Sequence, residues 1–272
     1  MPLGFIDNGV PPSPFPPEWA STWGQDRYGL WAALQIEGVE QVMRWMRPGI
    51  FMMGSPEAEP ERSGGEILHE VTLTKGYWLA DTACTQELWT EVMGKNPSSF
   101  KSDIQLPVES VSWGDCQEFL RSVENINQGL NFRLPTEAEW EYGCRAGTVT
   151  PFSFGKNITS AQVNYNGNSS YDHAPRSEYR NTTVPVKYLP CNQWGLYQMH
   201  GNVLEWCADW FGEYPEGSSL DPKGFDSGDS RVMRGGSWLI FGGRVRSAYR
   251  NWSRPDLHFR DFGFRFVLGP KE

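Results

Sequence analysis

The sequence predicts an irregular, loop-rich α+β domain. Its 272 residues include 29 Gly and 20 Pro, a high share of turn-forming residues, together with 13 Trp. A chain of this length buries ~75% of its unfolded surface, so it can form a core without disulfides. We expect indole rings to hold the long loops, both by burial and by N–H bonds to loop carbonyls.

Strand signals lie in the first third of the chain, where short apolar stretches are bounded by Gly and Pro. The predicted strands are residues 30–37, 39–47, 50–53 and 71–79, with Gly76 inside the last. Residues 1–27 are rich in Pro and predict an extended N-terminal arm. Trp19 and Trp23 suggest that this arm docks on the domain, which is expected to comprise residues 28–272.

Three helices are indicated by their N-terminal caps. Thr85 precedes the first amphipathic stretch. Ser112 and Asp115 have the spacing of a capping box before the second, in which each side chain bonds the other's backbone N–H. Thr136 and Glu139 have the same spacing before the third. The second half of the chain is predicted to contain mostly loops.

Charge and hydropathy argue against two kinds of partner. The formal net charge is −9, whereas nonspecific nucleic-acid binding needs a basic surface, so we expect no nucleic-acid partner. The chain has no run of about 18 apolar residues, so we expect no membrane span. The N-terminal residues carry neither the basic nor the apolar region of a secretory signal, which favours a cytoplasmic location.

Residue spacing gives no catalytic constellation. The five cysteines include no Cys-x-x-Cys pair and their number is odd, so buried free thiols are expected. No two of the four histidines lie three or four residues apart, which disfavours a helical metal pair. Ser237 lies outside a Gly-x-Ser-x-Gly elbow, and a Gly-rich phosphate loop with its Lys is absent.

One turn has a spacing that suits a hard cation. Gln198 and Glu205 place side-chain oxygens at the two ends of a segment that contains Gly201. Backbone carbonyls between them would complete an oxygen cage of the kind that Ca²⁺ prefers. The alternative is that Glu205 bonds loop amides and that the turn holds no ion.

Six motifs follow one another over about residues 44–268. They are Gly49–Ser55, Pro107-Val108 with Val111–Trp113, Arg133–Tyr142, Gly195–Trp206, Arg234–Trp238 and Gly263–Arg265. In these motifs and their order the chain resembles the formylglycine-generating-enzyme (sulfatase-modifying factor) family. That resemblance implies an irregular α+β fold of the C-type lectin type.

The resemblance also implies two structural calcium sites. The first would comprise Gln198 and Glu205 by side chain, with Gly201 and Val203 by carbonyl. The second would comprise Asn164 and Glu178 by side chain, with Tyr165 and Arg180 by carbonyl. The family usually has Asn or Asp at the position of Gln198.

The redox chemistry of the family is not expected here. Its enzyme resembles a copper oxidase with two cysteines shortly after the Arg-Gly-Gly-Ser motif, because Cu(I) needs thiolate ligands. The corresponding stretch of this chain is Leu239–Arg246, and no Cys follows Cys207. The related sulfoxide synthases use three histidines, two of them closely spaced, and that pair is missing. We therefore expect neither copper nor iron.

Residues 238–262 are the predicted binding segment, because they mix aromatic, Arg and small polar residues as binding surfaces do. The layout resembles the variable proteins of diversity-generating retroelements, which randomise a segment framed by Arg-Gly-Gly-Ser-Trp and Gly-Phe-Arg. The candidate ligand-binding residues are Leu239, Ile240, Phe241, Arg244, Tyr249, Asn251, Trp252, Ser253, Leu257, His258, Phe259, Asp261 and Phe262.

Three hypotheses for function follow. The first is a noncatalytic domain that binds an unknown protein or small molecule, alone or appended to an effector or signalling protein. The second is a divergent oxidoreductase of the same family that lacks the cysteine pair and uses Arg246, Arg250, His258 and Asp261. The third is a structural or regulatory scaffold in a larger complex.

Overall fold

The computed structural model describes residues 6–7 and 11–269. Within those residues it contains three β-sheets, three α-helices and two short 3₁₀ turns, Tyr171–His173 and Gly242–Arg244. Long loops connect these elements, as expected from the composition.

The largest sheet has six strands, and every neighbouring pair in it is antiparallel. In spatial order the strands are Thr22–Asp26, Gly29–Ile36, Val39–Met46, Tyr77–Ala80, Val267–Gly269 and Asn131–Arg133. The last strand of the chain therefore pairs between two strands of the first half, and this closes the domain.

Two four-stranded sheets complete the fold. One has the order Ile6–Asp7, Gly49–Met53, His69–Leu73 and Ser219–Leu220. The other has the order Asn251–Ser253, Arg231–Arg234, Leu204–Trp210 and Phe262–Gly263. This second sheet contains both strands that fall in the predicted binding segment, Asn251–Ser253 and Phe262–Gly263, so we call it the site sheet.

The helices are Gln86–Met93, Trp113–Ile126 and Glu137–Arg145. All three predicted caps are confirmed. Thr85 Oγ1 accepts the N–H of Leu88 at 3.1 Å, and both capping boxes are complete. None of the helices in the described residues is long and apolar enough to cross a bilayer.

The prediction of one strand over residues 71–79 is wrong. Two strands occur there, His69–Leu73 and Tyr77–Ala80, and they belong to different sheets. The reason lies at Gly76, where a Cβ atom would stand 2.2 Å from a ring carbon of Trp45. The backbone at Gly76 passes the Trp45 ring so closely that no side chain fits, and the chain leaves one sheet for the other at this residue.

The expected arm is partly a strand of the domain. Thr22–Asp26 pairs with Gly29–Ile36, so the large sheet begins before residue 28. Trp19 docks edge-on against Trp78, with ring centroids 5.5 Å apart. Trp23 contacts Phe15 but remains 52% exposed.

Indole rings anchor the core as predicted. Trp140 and Trp206 are fully buried. The indole N–H of Trp140 donates to Glu205 at 2.7 Å, and that of Trp206 donates to the carbonyl of Val111 at 3.0 Å. All five cysteines are free thiols, and four of them are buried.

Candidate functional site

A groove of about 560 Å³ opens where the end of the site sheet meets the loop of residues 61–65. We call it the aromatic groove. Its lining consists of Glu61, Arg62, Ser63, Gly65, Phe211, Phe241, Gly243, Arg244, Tyr249, Arg250 and Trp252. Four of the predicted binding residues therefore meet in one concavity: Phe241, Arg244, Tyr249 and Trp252.

The edge strand Asn251–Ser253 positions Trp252. It pairs with Arg231–Arg234, and Trp252 lies opposite Val232. Because side chains alternate along a strand, Trp252 points outward and is 54% exposed while Ser253 is buried. The strand thus presents its largest side chain to the groove.

A tight backbone approach positions the opposite wall. A Cβ atom at Gly243 would lie 1.8 Å from a carboxylate oxygen of Glu61. Glu61 also accepts the backbone N–H of Asp172 at 2.9 Å. A side chain at position 243 would therefore displace the Glu61 carboxylate from the turn Gly242–Arg244.

Aromatic faces and guanidinium groups form the walls. The Arg244 guanidinium carbon lies 4.8 Å from the ring centroid of Phe241 and 5.8 Å from that of Tyr249. The rings of Phe211 and Trp252 are tilted neighbours with centroids 5.8 Å apart. Burial raises the pKa of the Tyr249 hydroxyl, which therefore stays neutral.

Buried ion pairs hold the floor of the groove. Arg250 donates two hydrogen bonds to Glu137, at 2.7 and 2.8 Å, and both side chains are buried. Burial alone would raise the pKa of Glu137, but the charges of Arg250 and Arg234 lower it below its ordinary value. Arg246 is likewise held by Glu59 at 2.6 Å and by Glu66 at 2.7 Å. These pairs fix the backbone that carries the exposed rings.

Three predicted binding residues are buried and do not line the aromatic groove. Ser253 faces the interior of the protein. Asp261 accepts a hydrogen bond from the Ser237 hydroxyl at 2.7 Å. Phe262 packs edge-on against Trp206, with centroids 5.5 Å apart.

The remaining predicted residues do not all reach the groove. Leu257, His258 and Phe259 are exposed, but they precede Phe262–Gly263, at the opposite edge of the site sheet from Trp252. At ~4.8 Å per strand, these edges are about 14 Å apart. Leu239 is exposed, Asn251 is half-buried, and Ile240 packs partly against the core; none of them is a lining residue.

Five lining residues were missed by the sequence analysis: Glu61, Arg62, Ser63, Gly65 and Phe211. They lie outside residues 238–262: Phe211 follows the strand Leu204–Trp210, and the other four lie in the loop between Gly49–Met53 and His69–Leu73. No spacing or motif in the sequence indicates this contact.

The four residues proposed for an oxidoreductase do not form a site. Arg246 and Arg250 are held in buried ion pairs, and Asp261 is buried beside Ser237. His258 is exposed at the far edge of the site sheet. In the described part of the chain, no three His, Cys, Asp or Glu side chains are arranged to hold a metal ion.

One buried Cys–His contact has the composition of a nucleophilic pair. The Sγ of Cys144 lies 3.7 Å from Nε2 of His200. Burial raises the pKa of Cys144 to about 12 and lowers that of His200 to about 4. His200 Nδ1 bonds the Val245 carbonyl at 2.7 Å, and its Nε2 accepts the Ser153 N–H at 3.1 Å. A neutral thiol and a neutral imidazole without solvent access have a structural role.

The first calcium set does not fit the ion. Glu205 accepts two hydrogen bonds from Arg265, at 2.6 and 2.7 Å, and a third from Trp140. The amide oxygen of Gln198 accepts a hydrogen bond from Asn202. A guanidinium group thus occupies the place of a cation, and calcium ligation by Gln198, Gly201, Val203 and Glu205 is not supported. These contacts favour the ion-free alternative for this turn, with Glu205 bonding side chains rather than loop amides.

Among the residues of the second expected calcium site, one ligand oxygen has no hydrogen-bond partner. The side-chain oxygen of Asn164 is buried and has no hydrogen-bond partner, while its amide nitrogen donates to the Thr182 carbonyl at 2.9 Å. Such an oxygen is costly unless an ion or water satisfies it. Glu178 is exposed and pairs with Arg180 at 2.9 Å. Amide, carboxylate and backbone carbonyl oxygens are the ligand types that calcium takes.

The small sheets, long loops and three capped helices define a C-type lectin-like fold. The model of the sulfatase-modifying factor enzyme 1-like domain matches residues 35–269. The formylglycine-generating enzyme of Streptomyces coelicolor is 33% identical over 225 residues, which are 76% of this chain and 69% of that enzyme. The chain therefore belongs to the sulfatase-modifying factor (formylglycine-generating enzyme) family.

Two solved structures share the fold over nearly the whole chain. Treponema denticola variable protein 1 superimposes with a TM-score of 0.75 at 27% identity, over 88% of this chain and 99% of that protein. PvdO from Pseudomonas aeruginosa superimposes with a TM-score of 0.74 at 27% identity, over 92% of this chain and 99% of that protein.

Proposed function

We propose that this chain is a noncatalytic binding domain that holds a protein or small-molecule ligand in the aromatic groove. The observation that carries the proposal is the exposure of Trp252 and Phe241, which are 54% and 36% exposed above a floor of buried ion pairs. Large rings on a rigid base lose little entropy on binding and are frequent anchors of interfaces.

The likeness to a variable protein supports this function. In the retroelement type of the family, the diversified residues lie between the Arg-Gly-Gly-Ser-Trp and Gly-Phe-Arg motifs, and six groove residues of this chain lie there. We infer a domain of that type, working alone or beside an effector or signalling protein. A near-copy of the DNA encoding residues 238–262, differing at adenines beside a reverse transcriptase gene, would support diversification; its absence from the genome would overturn it.

A divergent oxidoreductase is the second candidate, since formylglycine-generating enzymes are among the relatives. The thiolates that bind copper in that enzyme type have no counterpart after Cys207. Oxygen uptake by the copper-loaded chain with a thiol peptide would establish this candidate. We expect no uptake above the rate of free copper.

Library screening tests binding while the ligand is still unidentified. The full chain and its Phe241→Ala/Tyr249→Ala/Trp252→Ala variant are screened against a displayed peptide library and a fragment library. We expect ligands that bind the wild type and not the variant, with melting temperatures within a few degrees of each other. Absence of groove-dependent ligands from both libraries, or global unfolding of the variant, would overturn the proposal.

We also propose that Asn164, Tyr165, Glu178 and Arg180 hold a structural calcium ion. Support comes from the buried oxygen of Asn164, which lacks a partner.

A further inference from the structure

Arg244 differs from Arg234, Arg246 and Arg250 in having no acidic partner among its described contacts. Arg234, Arg246 and Arg250 each pair with a buried glutamate. Arg244 is exposed, and among residues 6–7 and 11–269 its described contacts are ring faces and no carboxylate. A guanidinium stacked on aromatic rings keeps its N–H edges available for a planar acceptor.

A second guanidinium at the groove also lacks a carboxylate. The Nε of Arg62 donates to the Ser55 hydroxyl and its Nη2 donates to the backbone carbonyl of Glu66, both at 3.3 Å. These are neutral acceptors, so they leave the charge of Arg62 uncompensated. Within the described residues, the groove thus has two arginines without counter-charges, Arg62 and Arg244.

The groove is locally positive on an acidic protein. Its lining holds three arginines and one carboxylate, that of Glu61, whereas the whole chain has a formal net charge of −9. Arg250 is already neutralised by Glu137. A partner with negative charge is therefore favoured at the groove and disfavoured over the rest of the surface.

Aromatic rings supply the apolar surface of the groove. Phe211 and Trp252 form one tilted pair, and Phe241 contacts Arg244 in the same lining. The volume of about 560 Å³ falls within the roughly 300–1,000 Å³ of ordinary ligand pockets. Apolar ring faces beside an uncompensated guanidinium suit an occupant that joins an apolar side chain to an acid.

We propose that the occupant of the aromatic groove is a segment of a partner protein in which an Asp or Glu lies next to an aromatic or large aliphatic residue. The carboxylate binds Arg244, and the apolar side chain packs against the exposed faces of the Phe211 and Trp252 rings. This inference rests on the proposed binding function and adds the chemistry of the ligand to it.

Selection from a random displayed peptide library tests this chemistry. The full chain is used as bait in four forms: wild type, Arg244→Gln, Trp252→Ala and Arg254→Gln. Arg254 is a matched control, because it is exposed and pairs with Asp256 outside the groove lining. Peptides are fused through their C-termini, so that every carboxylate comes from a side chain.

We expect wild-type and Arg254→Gln baits to enrich peptides with an acid beside an apolar residue. Such peptides should bind Arg244→Gln about tenfold or more weakly, because a charge-assisted pair is lost. Arg244→Gln should still select apolar residues and should keep the wild-type melting temperature. Trp252→Ala should lose both preferences.

The outcomes separate the two proposals. Groove-dependent peptides without acidic enrichment, or with an enrichment that survives Arg244→Gln, would overturn the acidic-segment inference and leave the binding function standing. Peptides that bind Trp252→Ala as well as the wild type, or no enriched peptides, would overturn the proposal of groove binding to peptides itself.

Discussion

The guanidinium of Arg265 donates two hydrogen bonds to the carboxylate of Glu205, at 2.6 and 2.7 Å, and both side chains are buried. Glu205 lies in Leu204–Trp210, an inner strand of the site sheet. Arg265 leads from that sheet to the last strand of the large sheet and also bonds the carbonyls of Ala80 and Tyr197. One ion pair therefore joins the two sheets at the motif positions where calcium was expected.

Glu205→Gln should lower the free energy of unfolding by ~3–5 kcal/mol, because it leaves a buried guanidinium without its counter-charge. Urea denaturation followed by tryptophan fluorescence measures the change. The control is Asp256→Asn, which removes an exposed partner of Arg254 and should leave stability unchanged. If Glu205→Gln were as stable as the wild type, this pair would not join the sheets as described.

Trp140→Ala and Trp206→Ala should each destabilise the protein by ~3–5 kcal/mol, because both rings are fully buried and their N–H groups bond Glu205 and Val111. Trp252→Ala is the matched control, and its cost should be about 1 kcal/mol or less because the ring is half exposed. Equilibrium unfolding in urea separates the three variants. A cost below about 1 kcal/mol for Trp140 or Trp206 would contradict their place in the core.

Local features of the fold could be predicted from the sequence, and distant pairings could not. The caps Thr85, Ser112 and Thr136 act on N–H groups three residues away, so their spacing is visible in the chain. The insertion of Val267–Gly269 between strands from the first half is set by long-range packing. Single-sequence patterns contain no trace of that register.

For the groove, too, some residues could be predicted from the sequence and others could not. Trp252 belongs to the predicted segment and lies in the groove, but Ser253 beside it faces inward, so the polar residue is buried and the apolar one exposed. This reverses the usual strand pattern, and composition alone assigns both residues to the surface. Phe211 and Arg62 reach the groove from other elements, which the sequence does not indicate.

Asn164→Ala should abolish calcium binding, since it removes a buried amide oxygen that lacks a partner. Elemental analysis after calcium soaking and dialysis should find one ion per wild-type chain and almost none in the variant. Gln198→Ala is the control and should keep the ion, because the Gln198 and Glu205 set does not fit calcium. The proposal fails if the wild-type chain itself retains almost no calcium.

The buried carboxyl of Asp209 should make stability fall as the pH rises. Burial and the neighbouring charge of Glu137 raise its pKa to about 8, although its side chain accepts the N–H of Glu137 at 2.8 Å. Between its ordinary pKa of 3.8 and about 8, the folded state holds a proton that the unfolded state has released. The contribution of Asp209 to the free energy of unfolding is therefore fully present below pH 3.8 and is lost as the pH rises from there through about 8.

Asp209→Asn keeps an oxygen for the Glu137 N–H and cannot ionise, so its stability should decline less with pH than that of the wild type. His200, whose pKa burial lowers to about 4, acts in the opposite direction and below its ordinary pKa of 6.5. Urea denaturation from about neutral pH to about 9 therefore isolates Asp209 from His200. Parallel curves for wild type and Asp209→Asn over this range would show that the carboxyl ionises normally in the folded protein.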